Sequence, residues 1–171
     1  MRSVLDSYQG PLVRYATHLT GDLDLARDVV QDTFLRLWKQ KRQKVEGHLA
    51  QWLFTVCRNR ALDLLRKENR MHRMTGTGNL EPASTAPGPA QLLERRETLS
   101  RVLLALESLP PRQQEVLRLK FQNGLSYREI AATVGISVSN VGYLIHIAVK
   151  KVRAELEQHS EPAVTASRKD R

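Results

Sequence analysis

Ser137, Ser139, Asn140, Tyr143, His146 and Lys150 recur at helical spacing on one side of a stretch whose other side carries Val141, Ile145, Ala148 and Val152. The side-chain types define what such a face can do. An asparagine amide pairs bidentately with adenine, a serine hydroxyl reads several bases, and a lysine at the far end suits a phosphate. These are the groups needed to hydrogen-bond base edges in a DNA groove. Arg128, on the segment just before, joins the same set as a further cation.

For that face to work, two helices must position it. Ser126 stands three residues before Glu129, the spacing at which a hydroxyl and a carboxylate cap a helix start reciprocally. Ile130, Val134 and Ile136 form an apolar set around the small Ala131, and Gly135 supplies a turn. Ser137 then serves as N-cap of a second helix that buries Val141, Ile145, Ala148 and Val152. The pattern is that of a helix-turn-helix, whose second helix lies in the major groove with its N-terminal residues at base edges. The competing reading is a plain helical hairpin, which also needs a capped start, a small crossing residue and a glycine turn.

Composition narrows the remaining classes. The 171 residues carry a formal net charge of +9, with 41% hydrophobic and 5% aromatic residues, which suits small helical bundles and a polyanionic partner or acidic surface. No run approaches the roughly 18 apolar residues of a membrane span, and the N-terminus lacks an apolar leader region, so a cytoplasmic protein is expected. The single Cys57 excludes an internal disulfide framework and fits packing. The five histidines show no ligand spacing, so no metal and no cofactor is expected, and no catalytic constellation argues for an enzyme.

Charge is unevenly distributed. Residues 35–73 hold eleven Lys or Arg against three Asp or Glu, directly after residues 20–32 with four Asp and one Arg. Two faces of opposite sign suit two different partners. Residues 75–91 contain three Pro and three Gly among small polar residues and read as a linker. About 17 residues reach at most roughly 55–60 Å when extended, against about 20–25 Å as a flexible coil. Before the linker, helices are predicted over about 3–19, 23–40 and 47–71. Ala26, Val29, Val30, Leu37 and Trp38 face a core from the second, and Leu49, Leu53, Val56, Leu64 and Leu65 form the stripe of the third. After the linker come helices over about 92–107 and 110–122, then the two of the helix-turn-helix. The expected fold is all-α, two small helical domains joined by a flexible linker, with a flexible tail over 158–171.

"DVVQDTFLRLWKQ", "QWLFTVCRNRALDLLRK" and "LPPRQQEVLRLKFQNGLSYREIAATVGIS", in that order and on either side of the linker, resemble a bacterial sigma factor of the extracytoplasmic-function (ECF, group 4) division of the sigma-70 family. The resemblance implies a region 2 domain over 1–73, a linker over 74–91 and a region 4 domain over 92–157. Region 2 would bind core RNA polymerase and melt the -10 promoter element, and region 4 would read the -35 element. Under it, Asp24, Asp28, Gln31 and Asp32 are core-binding candidates. Lys44, His48, Arg58, Asn59, Asp63 and Arg66 are candidates for the -10 element, with Asn59 placed to hold a flipped base. Physically, Asn59, Asp63, Arg66 and Arg70 share one polar, mostly basic helix face. Trp38 and Trp52 could stack on bases, but core packing is expected for both.

The chain departs from the family pattern at two places. Where many relatives have "DAED" it has Leu25, Ala26, Arg27 and Asp28. Negative charge supplied near Thr20 or Thr33, for instance by a Ser/Thr kinase, would offset the lost acids. Where relatives run "VKSRLHRARKRLR" it has "VGYLIHIAVKKVR", with Leu144, Ile147 and Val149 at basic positions, to pack on its own helices or to meet a protein. Gly142 weakens that helix or permits a close approach. Expected partners are core RNA polymerase, promoter DNA and an anti-sigma protein. The alternative function is a polymerase-independent helix-turn-helix regulator.

Overall fold

The structure, a computed structural model, describes residues 2–75 and 102–158. The described secondary structure is helical throughout. Most of the 74–91 linker, the first part of the helix expected over 92–107 and most of the tail lie outside these residues.

Three helices build the N-terminal bundle: α1 (Arg2–Thr20), α2 (Leu23–Trp38) and α3 (Leu49–Thr75), with a short 3-10 turn (Arg42–Lys44) before α3. Gly21, at φ 73°, turns the chain out of α1, and Asp22 caps α2 by accepting from the Leu25 amide at 2.8 Å. The three helices pack on one another around Leu12, Tyr15, Ala16, Val29, Val30, Leu53, Phe54 and Cys57. Tyr15 and Phe54 meet edge to face, their centroids 5.3 Å apart. The buried seam of α3 is Leu53, Phe54, Cys57 and Ala61, rotated from the expected stripe, of which Leu53 alone is fully buried. The rotation has a cause: α3 is covered on one side by α1 and α2 and on another by a helix of the C-terminal half, and periodicity averages over the two.

Residues 102–107 are helical. They are followed by α4 (Pro111–Leu117), which widens into a π-turn over Arg118–Gln122, then α5 (Tyr127–Val134) and α6 (Val138–Gln158). Pro at the first position of α4 and both halves of the capping box at α5 are in place: Glu129 N–H donates to Ser126 Oγ, and Ser126 N–H donates to Glu129 Oε2 at 2.8 Å. The Ser126 hydroxyl, donating to Glu129 Oε2 at 2.7 Å, and then the Ser126 N–H hold the Glu129 carboxyl below its ordinary pKa. Gly135 takes the left-handed conformation, φ 74°, and ends α5. Ile130, Ala131 and Val134 are buried, as are Val141, Ile145 and Ala148 across from them, while Ile136 and Val152 pack half-buried on the same core. Leu144 and Val149 also pack on this core and Ile147 is half-buried, so the apolar replacements in α6 serve the chain's own packing.

Trp38 departs from expectation. It is 73% exposed at the end of α2, one position past the buried Leu37, on the flank of the helix that also carries the exposed Gln31 and Leu35. Trp52 is half-buried against the core.

Gly142 lies against Tyr127, and a methyl built on it would sit 3.7 Å from the ring, at ordinary contact distance. Gly142→Ala is therefore expected to raise stability by about 0.5–1 kcal/mol through helix propensity. Ile130→Ala, at a site with no exposure, is expected to lower it by about 2–5 kcal/mol. Denaturant unfolding of the two variants beside the parent checks both signs.

Candidate promoter-binding faces and the seam between them

The helix-turn-helix presents its reading side to solvent. Ser137, Ser139, Asn140, Tyr143, His146 and Lys150 on or before α6, and Arg128 on α5, are all exposed. Ser137 is also the helix cap, accepting from the Asn140 amide at 3.1 Å, so its hydroxyl is already engaged. The structure adds a residue that the sequence reasoning passed over. Val138, the first residue of α6, is 44% exposed between Ser137 and Ser139. Its apolarity hid it, because a valine among buried valines reads as core until the helix phase is known.

On the N-terminal bundle, Asn59, Asp63, Arg66 and Arg70 share an exposed face of α3, with Arg66 and Asp63 paired at 3.2 Å. Lys44 and His48 are exposed on the approach to it. Arg58 is not part of this open face. Its guanidinium lies 2.7 Å from Glu115 of α4, and the two side chains are 15% and 6% exposed. Arg58 Nε and Nη2 both donate to the carboxylate, at 2.7 and 3.4 Å, and the Tyr15 hydroxyl donates to the same carboxylate at 2.8 Å. Burial lowers the affinity of Arg58 for its proton, but Glu115 outweighs it and the net direction is upward. Burial, with Glu115 beside it, raises Tyr15 well above its ordinary value. One turn earlier on α3, the Thr55 and Thr133 hydroxyls are 3.1 Å apart, where α3 packs on α5. The two halves of the chain thus meet at a polar seam lying over a continuous apolar core.

The acidic candidates divide. Asp24, Asp28 and Gln31 are exposed on α2, and Asp24 pairs with Arg27 at 3.0 Å. Asp32 is half-buried and committed, 2.9 Å from Arg60 and 3.4 Å from Arg36, so it ties α2 to α3 and is a poorer contact for a partner than its type suggested. Thr33 is fully buried and donates to the Val29 carbonyl, which corrects its reading as a modification site. Thr20 is half-buried with its hydroxyl donated to backbone carbonyls. Cys57 is buried and its thiol is pushed up to about 12, consistent with packing.

With this geometry in view, the comparisons with known proteins give the class. Residues 4–71 match the family model of sigma-70 region 2, and residues 99–152 match that of sigma-70 region 4. The chain belongs to the sigma-70 family of transcription initiation factors. Within it, the chain is an ECF RNA polymerase sigma factor. It is 34% identical over 164 residues to the ECF sigma factor SigL of Mycobacterium tuberculosis, a match covering 92% of this chain and 89% of that one. Among solved structures it is similar to the sigma factor RpoE of Bartonella quintana in complex with the anti-sigma factor NepR, at a TM-score of 0.71 and 26% identity, over 91% of this chain and 96% of that one. It is also similar to CnrH in complex with the cytosolic domain of CnrY, at 0.58 and 26% identity, over 92% and 88%. Among the described residues no single helix is long and apolar enough to cross a membrane.

His18, on α1, is half-buried beside the seam. Burial, with Arg118 nearby and Glu115 partly opposing it, lowers its pKa from 6.5 to about 4. The folded chain therefore refuses a proton that the unfolded chain accepts. The stability contributed is whole above about pH 6.5 and is lost progressively as pH falls toward 4. The thermal midpoint is expected to drop by a few degrees between about pH 6.5 and 5, and His18→Gln to flatten that slope. Calorimetry across the range checks it.

Proposed function

We propose that this sigma factor binds core RNA polymerase through the exposed acidic residues of α2, engages the -10 element through α3, and reads the -35 element through α6. The single observation that carries the reading is the exposed polar face of α6, from Ser139 to Lys150, set on a capped helix-turn-helix and preceded by a separate basic face on α3. Region 2 then spans 1–73, the linker 74–91 and region 4 92–157. Asp24, Asp28 and Gln31 face the polymerase, with Arg27 as a cation that a basic partner surface must tolerate. Lys44, His48, Asn59, Asp63 and Arg66 form the open part of the -10 set, and Asn59 is placed for an extruded base. An anti-sigma protein is the further partner this reading expects, since the similar RpoE structure is a complex with the anti-sigma factor NepR. A polymerase-independent regulator would leave the acidic α2 face and the second basic face without a purpose.

Transcription by core polymerase plus this chain on a genomic library, mapped by start-site sequencing, tests it. Promoter-specific starts sharing two elements at fixed spacing are expected. Starts indistinguishable from those of core polymerase alone, with DNA binding intact without it, would favour the regulator. At the promoters found, Asn140→Ala is expected to cost about 1–3 kcal/mol at one -35 base pair and to relax preference there. Lys150→Ala should weaken all sites evenly and reduce the salt slope by about one. Competition binding over a set of single-base variants, repeated at several salt concentrations, separates the two.

A further thymine contact follows from Val138. An exposed valine at the first residue of a groove-bound helix has only one base group to favour, the thymine methyl. Replacing each -35 thymine in turn by deoxyuridine removes that methyl alone. Affinity should fall at one position for the parent and fall less there for Val138→Ala, whose single methyl makes a smaller contact.

A further inference from the structure

The structure assigns to region 4 a binding pocket for a small apolar monocarboxylate, set between the helical residues 102–107, the π-turn after α4 and the second half of α6, with Arg118 and Arg153 taking the carboxylate. None of the residues placed for base reading lines it. The site is therefore separate from the promoter-binding faces and goes beyond their function.

Its shape sets the size of the ligand. Val102 and Leu106 from the first element, Leu117 and Phe121 from the second, and Val149 and Val152 of α6 line a slot of about 230 Å³. At roughly 30 Å³ per non-hydrogen group, the share of one water in the liquid, that space holds about seven or eight such groups. A short alkyl chain or one substituted ring fits. Phe121 is 67% exposed, and Gln122 and Arg153 beside it in the lining are exposed, so the slot opens to solvent on their side.

Its charges set the head group. Arg118 lines the slot, and its Nε is buried with no hydrogen-bond partner among the described residues. Burial lowers its pKa, and Glu107 opposes this only from a distance, without a hydrogen bond, which is the direction of a cation with too little negative charge around it. A buried donor left unpaired is costly, and a carboxylate offers two oxygens in the geometry a guanidinium fork matches. Arg153 adds a second cation at the rim. An ammonium group would be repelled there, and an alcohol would leave the charge uncompensated.

Two features of the walls support a ligand site. Val149 stands where the family pattern is basic, and a cation at that position would break the apolar wall. Arg118, Phe121 and Gln122 belong to the π-turn, a rare form that recurs at functional sites. Asn123 holds this turn in shape, its backbone and side-chain N–H groups both donating to the Arg118 carbonyl, at 3.2 and 3.0 Å. Since α6 carries the reading residues on its first half and Val149, Val152 and Arg153 on its second, the acid binds the same helix that reads DNA.

The test is a titration of the full chain, labelled at its Leu and Val methyl groups, followed by two-dimensional NMR. The probes are octanoate and 4-methylbenzoate, which separate an aliphatic from an aromatic acid, with octan-1-ol, octylammonium and acetate as controls. The methyls of Leu106, Leu117, Val149 and Val152 should shift with at least one acid, at a dissociation constant at or below about 1 mM. Octan-1-ol and octylammonium should bind at least about tenfold more weakly than octanoate, the scale of a charge-assisted bond, and acetate should leave the methyls unmoved. Arg118→Gln should weaken the acid by about tenfold, and Arg153→Gln by a few-fold because it is exposed. Val149→Phe, which fills the slot, should abolish binding.

Binding by one acid and not the other supports the site and names the body it takes. Failure of both acids up to about 10 mM, or shifts confined to methyls outside the slot, overturns the proposal and leaves the slot to a protein side chain. Octan-1-ol binding as tightly as octanoate overturns the carboxylate assignment, as does parental affinity in both arginine variants. Should Arg118→Gln lose helicity, the exposed Arg153→Gln and the comparison of acid with alcohol on the parent chain decide. No DNA or polymerase enters these measurements, so they stand or fall apart from promoter-specific transcription.

Discussion

One buried carboxylate organises the contact between the two halves of this molecule. Glu115 sits at the end of a short helix, almost without solvent, and accepts from Arg58 and Tyr15 at once. A charge in that position is tolerated only because its oxygens are satisfied from the opposite bundle. Tyr15 of α1 and Arg58 of α3 meet that requirement together. The apolar residues beneath make one continuous core, but apolar contact is non-directional, and it is the polar seam that selects one register among many.

The two candidate promoter-binding surfaces differ in how they are held. The α6 face stands on a helix-turn-helix whose internal geometry is fixed by a capping box, a left-handed glycine and a small set of fully buried side chains. It is complete and open. The α3 face shares its helix with the seam, so Arg58, next to the exposed Asn59, is engaged by Glu115 of the other half.

Acidic α2 is a further case of shared duty. Asp32 belongs to the run of acids that suits a basic partner, yet it is spent inside the bundle on Arg60 and Arg36. Asp24, Asp28 and Gln31 remain on the outside. The net charge of this helix surface as a partner meets it is therefore smaller than the sequence suggests, and Arg27, already paired with Asp24, reduces it again.

The sequence by itself determined the elements and the grammar of the DNA-reading half. Capping at Ser126, the turn at Gly135, the caps and core of α6 and the polar face from Ser139 to Lys150 are local consequences of spacing, and local spacing is what a sequence displays. The all-helical class and the break into two halves were legible for the same reason. Tertiary structure alone decided the rest. Trp38 faces solvent because the bundle leaves its flank of α2, with Gln31 and Leu35, uncovered. The seam of α3 is rotated because helices cover it from two directions. Arg58, Asp32 and Thr33, polar residues of apparently free type, are engaged or buried because their partners stand in other helices. Glu115, which sequence reasoning gave no role, is central because its partners lie 57 and 100 residues away. Pairing over such separations is set by how the helices pack, and no periodicity along the chain encodes it.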